Sequence, residues 1–386
     1  MHLDKLQLTD FRNYADLTAE FSPQTNVLLG QNAQGKTNLL EAIYLLAMTR
    51  SHRTANDRQL IRFGQKSAQI EGVVSRKLGP LRLSVSLGPT GKRVRVNQLE
   101  QAKLSQYIGQ MNVILFAPED LALVKGAPAI RRRFVDMEFG QIDARYLAAL
   151  SQYRTVLRQR NQYLKQLQLN QARDEVYLDV LSAQLAELGG IIIAKRVKYL
   201  TQLEQYAQEL QHEITQGDEQ LTIRYHARLL KEIGATAEEV GEQLTTKYQE
   251  IRLTEVEKGT TLAGPHLDDV YFYLNGKNVQ SYGSQGQQRT TALAVKLAEI
   301  GLMQEATGEA PILLLDDVLS ELDGMRQTHL LRAIQDRVQT FLTSPALSDV
   351  ARKLINAPRI FTVSAGTITP TENISPEIPD SKTTTD

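Results

Sequence analysis

Leu28-Leu29-Gly30-Gln31-Asn32-Ala33-Gln34-Gly35-Lys36-Thr37 is the stretch on which the fold turns. It is spaced G-x-x-x-x-G-K-T, as in a phosphate-binding loop. The apolar run at Asn26 to Leu29 suits a buried parallel strand. After the loop, Leu39, Leu40, Ile43, Leu46 and Ala47 recur at helical spacing. Gly30 and Gly35 allow a sharp turn that brings backbone N–H groups against phosphate oxygens. In such a loop Lys36 reaches the β- and γ-phosphates, and Thr37 offers its hydroxyl to Mg²⁺. The new helix adds the positive end of its dipole. Gly30 through Thr37 are therefore the expected nucleoside triphosphate site, with Lys36 as a catalytic residue.

A phosphate loop needs an acid for its metal. Pro311-Ile312-Leu313-Leu314-Leu315-Asp316-Asp317 reads as a buried strand delivering two. Asp316 is placed to hold Mg²⁺, and Asp317 to orient or polarise the attacking water. Alone, such a strand is a weak signal, because many such acids cap the following turn. Paired with Gly30–Thr37 it becomes specific. Ser284-Gln285-Gly286-Gln287, at the start of a helical stretch, supplies a second candidate anion site. A plain helix N-cap is the alternative for Ser284.

The chain of 386 residues is long enough for two or three domains. Lys+Arg and Asp+Glu are 44 each, so no global field draws it to an anionic polymer, and nucleic-acid contacts must come from local patches. With no cysteine, disulfides, thiolate zinc sites and cysteine nucleophiles are excluded. The composition suits a reducing cytosol, and the apolar runs read as short of a membrane span, so a cytoplasmic protein without a membrane partner is expected.

Leu3, Leu6 and Leu8, then Leu17 and Phe21, predict strands before the loop. Ala68 to Ser75 and Leu81 to Leu87 predict two more, followed by a turn at Gly88-Pro89-Thr90-Gly91. Val113 to Phe116 predicts another. From about Tyr146 the period changes to three and four, giving helices over about 146–169, 175–214 with a kink at Gly189-Gly190, and 237–256. These read as an antiparallel helical insertion rather than part of a sheet. Strand texture returns at Thr261, with a hairpin signal at Asn275-Gly276. From Gly366 the polar tail predicts disorder. The expected division is 1–117, a first ATPase half with the phosphate loop; 118–258, a helical insertion; 259–365, the second half; and 366–386, the tail.

Basic clusters stand at Arg50–Arg62 (with Arg50, His52 and Arg53), Lys92–Arg95, Arg131–Arg133 (Arg131, Arg132 and Arg133) and Lys195–Lys198. Each is either solvated surface or a DNA contact.

Taken together, these motifs resemble ABC-type ATPases split by an insertion, in the SMC and DNA-repair group. Ser284–Gln287 is similar to their signature motif with Gln for the first Gly, and Ser320-Glu321-Leu322-Asp323 matches the loop at their dimer seam. Within the group the resemblance is to the RecF family. It is carried by Gly30–Ala42, Arg50-Ser51-His52-Arg53, Pro118-Glu119-Asp120-Leu121, Val124-Lys125-Gly126, Arg131–Asp136, Gly264-Pro265-His266, Ser284–Arg289 and Leu315–Asp323, and runs to about Arg352. It implies an α/β ABC-type ATPase head: a parallel or mixed phosphate-loop sheet with N-terminal antiparallel strands, interrupted by the helical insertion. It also implies ATP and Mg²⁺ as cofactors and an ATP-dependent homodimer. The activity implied is a weak, DNA-stimulated ATPase acting as a dimerisation switch. The implied partners are gapped, single-stranded or junction DNA, together with RecO and RecR in loading RecA during repair, replication restart and SOS induction. Leu267 departs from the pattern, standing where Arg is expected. Against transporter ATPases, Asp317 replaces the usual Glu and Thr340–Thr343 offers no switch His. Competing readings are a transporter ATPase subunit or the ATPase of another DNA-repair complex; an ATPase–nuclease, which needs an added nuclease domain; and a nucleotide-free DNA-binding protein.

Overall fold

Strands with alternating apolar residues open the molecule, and the computed structural model describes residues 1–346 and 349–371. β1 (His2–Phe11) buries Leu3, Leu6, Leu8 and Phe11 on one face, and β2 (Tyr14–Glu20) returns beside it. β3 (Thr25–Leu29) leads through the phosphate loop into α1 (Lys36–Met48). β4 (Ala68–Arg76), β5 (Gly79–Gly88), β6 (Gly91–Val96) and β7 (Leu99–Glu100) complete an antiparallel sheet in the order β2-β1-β4-β5-β6-β7. The turn at Gly88–Gly91 lies where its Gly and Pro predict. A short α2 (Leu104–Tyr107) then leads to β8 (Val113–Phe116).

The middle of the chain is mostly helical. α3 (Pro128–Ile142), α4 (Ala144–Gln168) and the 40-residue α5 (Glu175–Ile214) precede β9 (Leu221–His226), α6 (Ala237–Glu250) and α7 (Arg252–Lys258). Two expectations are corrected here. The third helical stretch breaks at Ile251 into two helices. Helix α5 runs unbroken through Gly189-Gly190, and the pair lets α6 approach closely: a Cβ on Gly190 would strike the α6 backbone at Ala237 and Gly241. And the insertion is not wholly helical. β9 pairs antiparallel with β10 (Asp269–Leu274), tying it to the returning chain. Six-residue Leu221–His226 is short and carries a charge, so its period was not legible locally.

Across the Asn275-Gly276 turn, β10 meets β11 (Lys277–Asn278); Asn275 and Gly276 both have positive φ, 48° and 76°, as a type I′ turn requires. Then follow α8 (Val279–Tyr282), α9 (Gln285–Thr307), β12 (Ile312–Asp316), α10 (Gly324–Ile334), β13 (Thr340–Ser344), α11 (Asp349–Leu354), β14 (Arg359–Ser364) and β15 (Thr367–Pro370). The expected disorder from Gly366 is corrected at its start, since β15 pairs with β14; residues 372–386 lie outside the described residues.

The second large sheet runs β15-β14-β3-β13-β12-β8 and is parallel except for β15. Successive side chains face opposite ways. Val27, Leu313 and Leu315 enter the core shared with α9 and α5, whereas Leu28, Leu314 and Phe341 enter the core between the two sheets. Helix α1 lies in that second core and is buried nearly all round, not on one face. By length and composition α5 would also pass as a membrane span, contrary to the reading of short apolar runs, but half of that window is buried against the protein. It packs on α4, α6, α9 and β9 as a core helix.

Candidate functional site

Strand order brings the two halves of the site together. In the parallel register Leu28 lies opposite Thr343, and Thr343 lies opposite Asp316. The phosphate loop and the paired acids therefore leave the sheet at the same C-terminal edge, one strand apart, which is where ligands bind in such sheets. Thr37 Oγ1 donates to Asp316 Oδ1 at 3.0 Å, across 279 residues of sequence. Thr343 Oγ1 donates to the same oxygen at 2.9 Å and accepts from the Asp317 backbone N–H at 2.9 Å. Thr37 and Asp316 thus offer a hydroxyl and a carboxylate oxygen side by side, a donor pair that suits a hard divalent cation. Among the described residues no cluster of three His, Asp or Glu could hold a metal alone, so most of such an ion's shell would come from oxygens outside the protein.

Asp317 adopts the left-handed conformation, φ 53°, and its Oδ1 is buried with no hydrogen-bond partner among the described residues. A buried oxygen without a partner is costly, so this carboxylate is a point of strain beside Asp316. Lys36 Nζ donates to the carbonyls of Gly30 and, at 2.9 Å, of Gln31. Burial lowers its pKa, while Asp317 and Asp316 oppose that shift. Gly35 has φ 120°, and a Cβ there would lie 2.6 Å from the Asn13 side chain. Gln31, Asn32 and Ala33 form the exposed lip of the loop.

The loop is braced by residues that sequence reasoning missed. Tyr14 OH donates to Gly35 O at 2.9 Å, and Asn13 Nδ2 to Gln34 O at 3.0 Å. From the β14–β15 turn, the Ala365 N–H donates to Gln34 Oε1 at 2.8 Å. The signal at hand was Arg12-Asn13-Tyr14, polar residues in the first hairpin turn, but their partner was not local. Arg12 grips buried Glu41 with two bonds, at 2.8 and 2.7 Å. Burial pushes Glu41 up, yet Arg12 and Ser51 outweigh it and hold the carboxyl below its usual range. Ser51 Oγ also donates to Glu41, so the Arg50–Arg53 segment is pinned to the phosphate-loop helix.

Ser284 caps α9. Its Oγ accepts from the Gln287 N–H at 3.2 Å, and Gln287 Oε1 accepts from the Ser284 N–H at 2.8 Å. Gln287 is further tied to Glu219, and Gly286 O accepts from Arg326. Ser284 and Gln285 are exposed. None of Ser284, Gln285, Gly286 and Gln287 lines the cleft shared by Thr37, Asp316 and Asp317.

The basic candidates separate. Arg131 is corrected: it is 1% exposed and forms a bidentate pair with Asp269, both bonds 2.8 Å, so its charge is committed inside the protein. In the Lys195–Lys198 cluster Arg196 is likewise buried on Asp136, and Lys195 pairs with Asp143. Arg50, Arg53, Lys92, Arg132, Arg133 and Arg154 instead line one cleft, with Asp57 and Asp136 as its acids. His52 borders both this cleft and the one holding Thr37, Asp316 and Asp317.

Comparison with known proteins places this geometry. Residues 2–368 match the family model described as the RecF/RecN/SMC N-terminal domain. The chain is 61% identical over 369 residues to the DNA replication and repair protein RecF of Ligilactobacillus salivarius (strain UCC118), covering 96% of this chain and 97% of that one. It is 57% identical to the RecF of Latilactobacillus sakei subsp. sakei (strain 23K), covering 95% and 98%. A solved structure of the recombination mediator protein RecF with ATP, in the RecFOR pathway, superposes with a TM-score of 0.88 at 32% identity, over 96% of this chain and 98% of that one. The Smc head bound to the C-winged helix domain of ScpA shares the fold, with a TM-score of 0.55 at 15% identity, over 96% of this chain and 97% of that one. By sequence, by length and by fold, the chain belongs to the RecF family.

Proposed function

We propose that the protein is an ATP-dependent, DNA-binding recombination mediator in which ATP closes two identical subunits head to tail. The observation that carries this is the Thr37–Asp316 contact, which joins the phosphate loop to the acid strand as a phosphate-loop ATPase requires. Lys36, with the loop N–H groups, binds the β- and γ-phosphates. Thr37 and Asp316 hold Mg²⁺, whose role is to neutralise developing charge on the phosphates. Asp317 orients the attacking water. An Asp in that place and the lack of a His at the end of β13 support slow turnover, with ATP serving as a switch.

Ser284 supports the dimer reading. It stands exposed at a helix N-terminus, outside the cleft of its own chain, and so is free to meet a γ-phosphate on a partner. Two-fold symmetry makes two such composite sites per interface. ADP lacks the group that Ser284 and Gly286 would grip, which gives ATP its differential affinity for the closed state. The closed pair binds gapped or junction DNA through the Arg50–Arg133 cleft and works with RecO and RecR in loading RecA, in the cytoplasm.

Ser284→Arg tests this reading. ATP binding by the monomer should persist while dimerisation and turnover are lost, as read by sedimentation with ATP beside wild type with ATP and with ADP. A variant that still dimerises, or a wild type that dimerises equally with ADP, would overturn it.

A further inference from the structure

Gly286 and Arg326 meet at the first turn of α9, and helix stability alone favours neither. Glycine weakens a helix, and a cation beside a helix N-terminus opposes its dipole. The two residues fit one another. Arg326 Nη2 donates to Gly286 O at 3.1 Å, and Arg326 Nε donates to Thr290 Oγ1, one turn further along, at 2.9 Å. A Cβ on Gly286 would lie 3.2 Å from that Nη2, so a side chain there would crowd the guanidinium. The arginine is fixed at its own end as well. It stands in the first turn of α10, where Asp323 caps the helix by accepting from the Arg326 N–H at 2.9 Å and also accepts from Nη1. Asp323 closes Ser320-Glu321-Leu322-Asp323, the segment that follows the paired acids. That segment is braced along its length. Ser320 Oγ donates to Asp317 O at 2.7 Å, Gln327 Nε2 to Leu319 O at 2.7 Å, and Arg289 Nη1 of α9 to Glu321 O at 3.1 Å. The Arg326 side chain is only 23% exposed, whereas Ser284 and Gln285 are open to solvent. A partly buried brace thus holds a turn whose cap is free.

We propose that Arg326 is a positioning residue: it ties the first turn of α9 to the loop behind the paired acids, and so holds Ser284 ready for the nucleotide of a second copy of this chain. The inference rests on the dimer reading above. Gly286 is bare, on this view, to admit the guanidinium of its own chain. An arginine suits the task because its planar fork spans Gly286 O, Thr290 Oγ1 and Asp323 together, which the point charge of a lysine does not. Fixing the turn in advance matters to affinity. A loose turn would lose its freedom at every closure of the dimer, and that loss would be subtracted from the binding free energy.

Sedimentation of the full chain with ATP measures dimerisation, and a fluorescent ATP analogue measures nucleotide affinity at concentrations where the chain is monomeric. Arg326→Ala should weaken dimerisation by about 10–100-fold, within the range for coupled neighbouring groups. Its monomer nucleotide affinity and thermal midpoint should stay near wild type, since Arg326 does not line the cleft of Thr37, Asp316 and Asp317. Arg326→Lys keeps the charge but reaches fewer acceptors, and should behave like Arg326→Ala. Gly286→Ala should weaken dimerisation too. In the Arg326→Ala background it should cost nothing more, because the guanidinium it would crowd is gone. An equal cost of Gly286→Ala in both backgrounds would mean that the partner needs the space, and would overturn the proposal. So would an Arg326→Ala or Arg326→Lys chain that dimerises as wild type does, or a thermal midpoint that falls in step with dimerisation. In each of those cases the dimer reading stands if wild type dimerises with ATP and not with ADP. If wild type responds equally to both, the dimer reading fails and this inference with it.

Discussion

Arg131 and Arg133 are neighbours in one basic run, yet they belong to different parts of the protein. On α3 they are two residues apart, so they project in different directions. Arg131 turns into the core, where Asp269, together with the carbonyls of Val124 and Gly126, satisfies its guanidinium. Arg133 turns out to the cleft. Removing one partner of a buried ion pair leaves the other charge stranded, which typically costs 3–5 kcal/mol, so Arg131→Ala should lose roughly that much stability. Urea unfolding monitored by circular dichroism measures it. DNA affinity per folded molecule should stay the same. A variant with unchanged unfolding midpoint but weakened DNA binding would return Arg131 to the surface patch.

At the scale of elements, the contact of α5 with α6 is decided by glycine. A Cβ on Gly190 would lie 2.8 Å from the Gly241 nitrogen and closer still to the Ala237 carbonyl, so α6 would have to move. A Cβ on Gly189 would meet the Leu244 side chain at 2.7 Å, and a leucine can turn away. Both alanines gain helix propensity, about 1 kcal/mol each. Gly190→Ala should nonetheless lose about 1–3 kcal/mol through overpacking. Gly189→Ala should lose less, or gain. Thermal melts of the two variants decide it, and equal midpoints would show that backbone approach does not set this interface. The same pairing gives Gly189-Gly190 a packing role inside an unbroken helix. Glycine can bend a helix, but it also lets two helices close up, and only the neighbouring helix tells which.

For the whole molecule, charge balance and charge placement are separate matters. Lys+Arg and Asp+Glu cancel at 44 each, but six basic side chains face one cleft with two acids. Such a cleft binds an anionic polymer by releasing counterions, so affinity should fall steeply with salt. Replacing both Arg132 and Arg133 by Ala should weaken DNA binding uniformly across sequences and flatten the plot of log affinity against log salt by about two units, roughly one for each lost phosphate contact. Fluorescence anisotropy over a range of salt concentrations measures the slope. A slope identical to wild type would remove these arginines from the DNA surface.

What the sequence determined by itself was everything set by local chemistry. Gly30–Thr37 had to be a tight turn between a strand and a helix because of its glycines and their flanks. Val113–Phe116, the strand ending in Asp316, the Asn275-Gly276 turn and the helix over Glu175–Ile214 each carried their period or turn residues within a few positions. Tertiary structure alone decided what depends on a distant partner. Asn13 and Tyr14 brace the phosphate loop only because β1, β2 and β3 fold together. β9 is a strand because β10 offers it an edge. Arg131 is a core residue because Asp269, 138 positions away, is buried beside it. Hydrogen bonds and burial act through space, and a residue's place in the chain does not record who its neighbours in space will be.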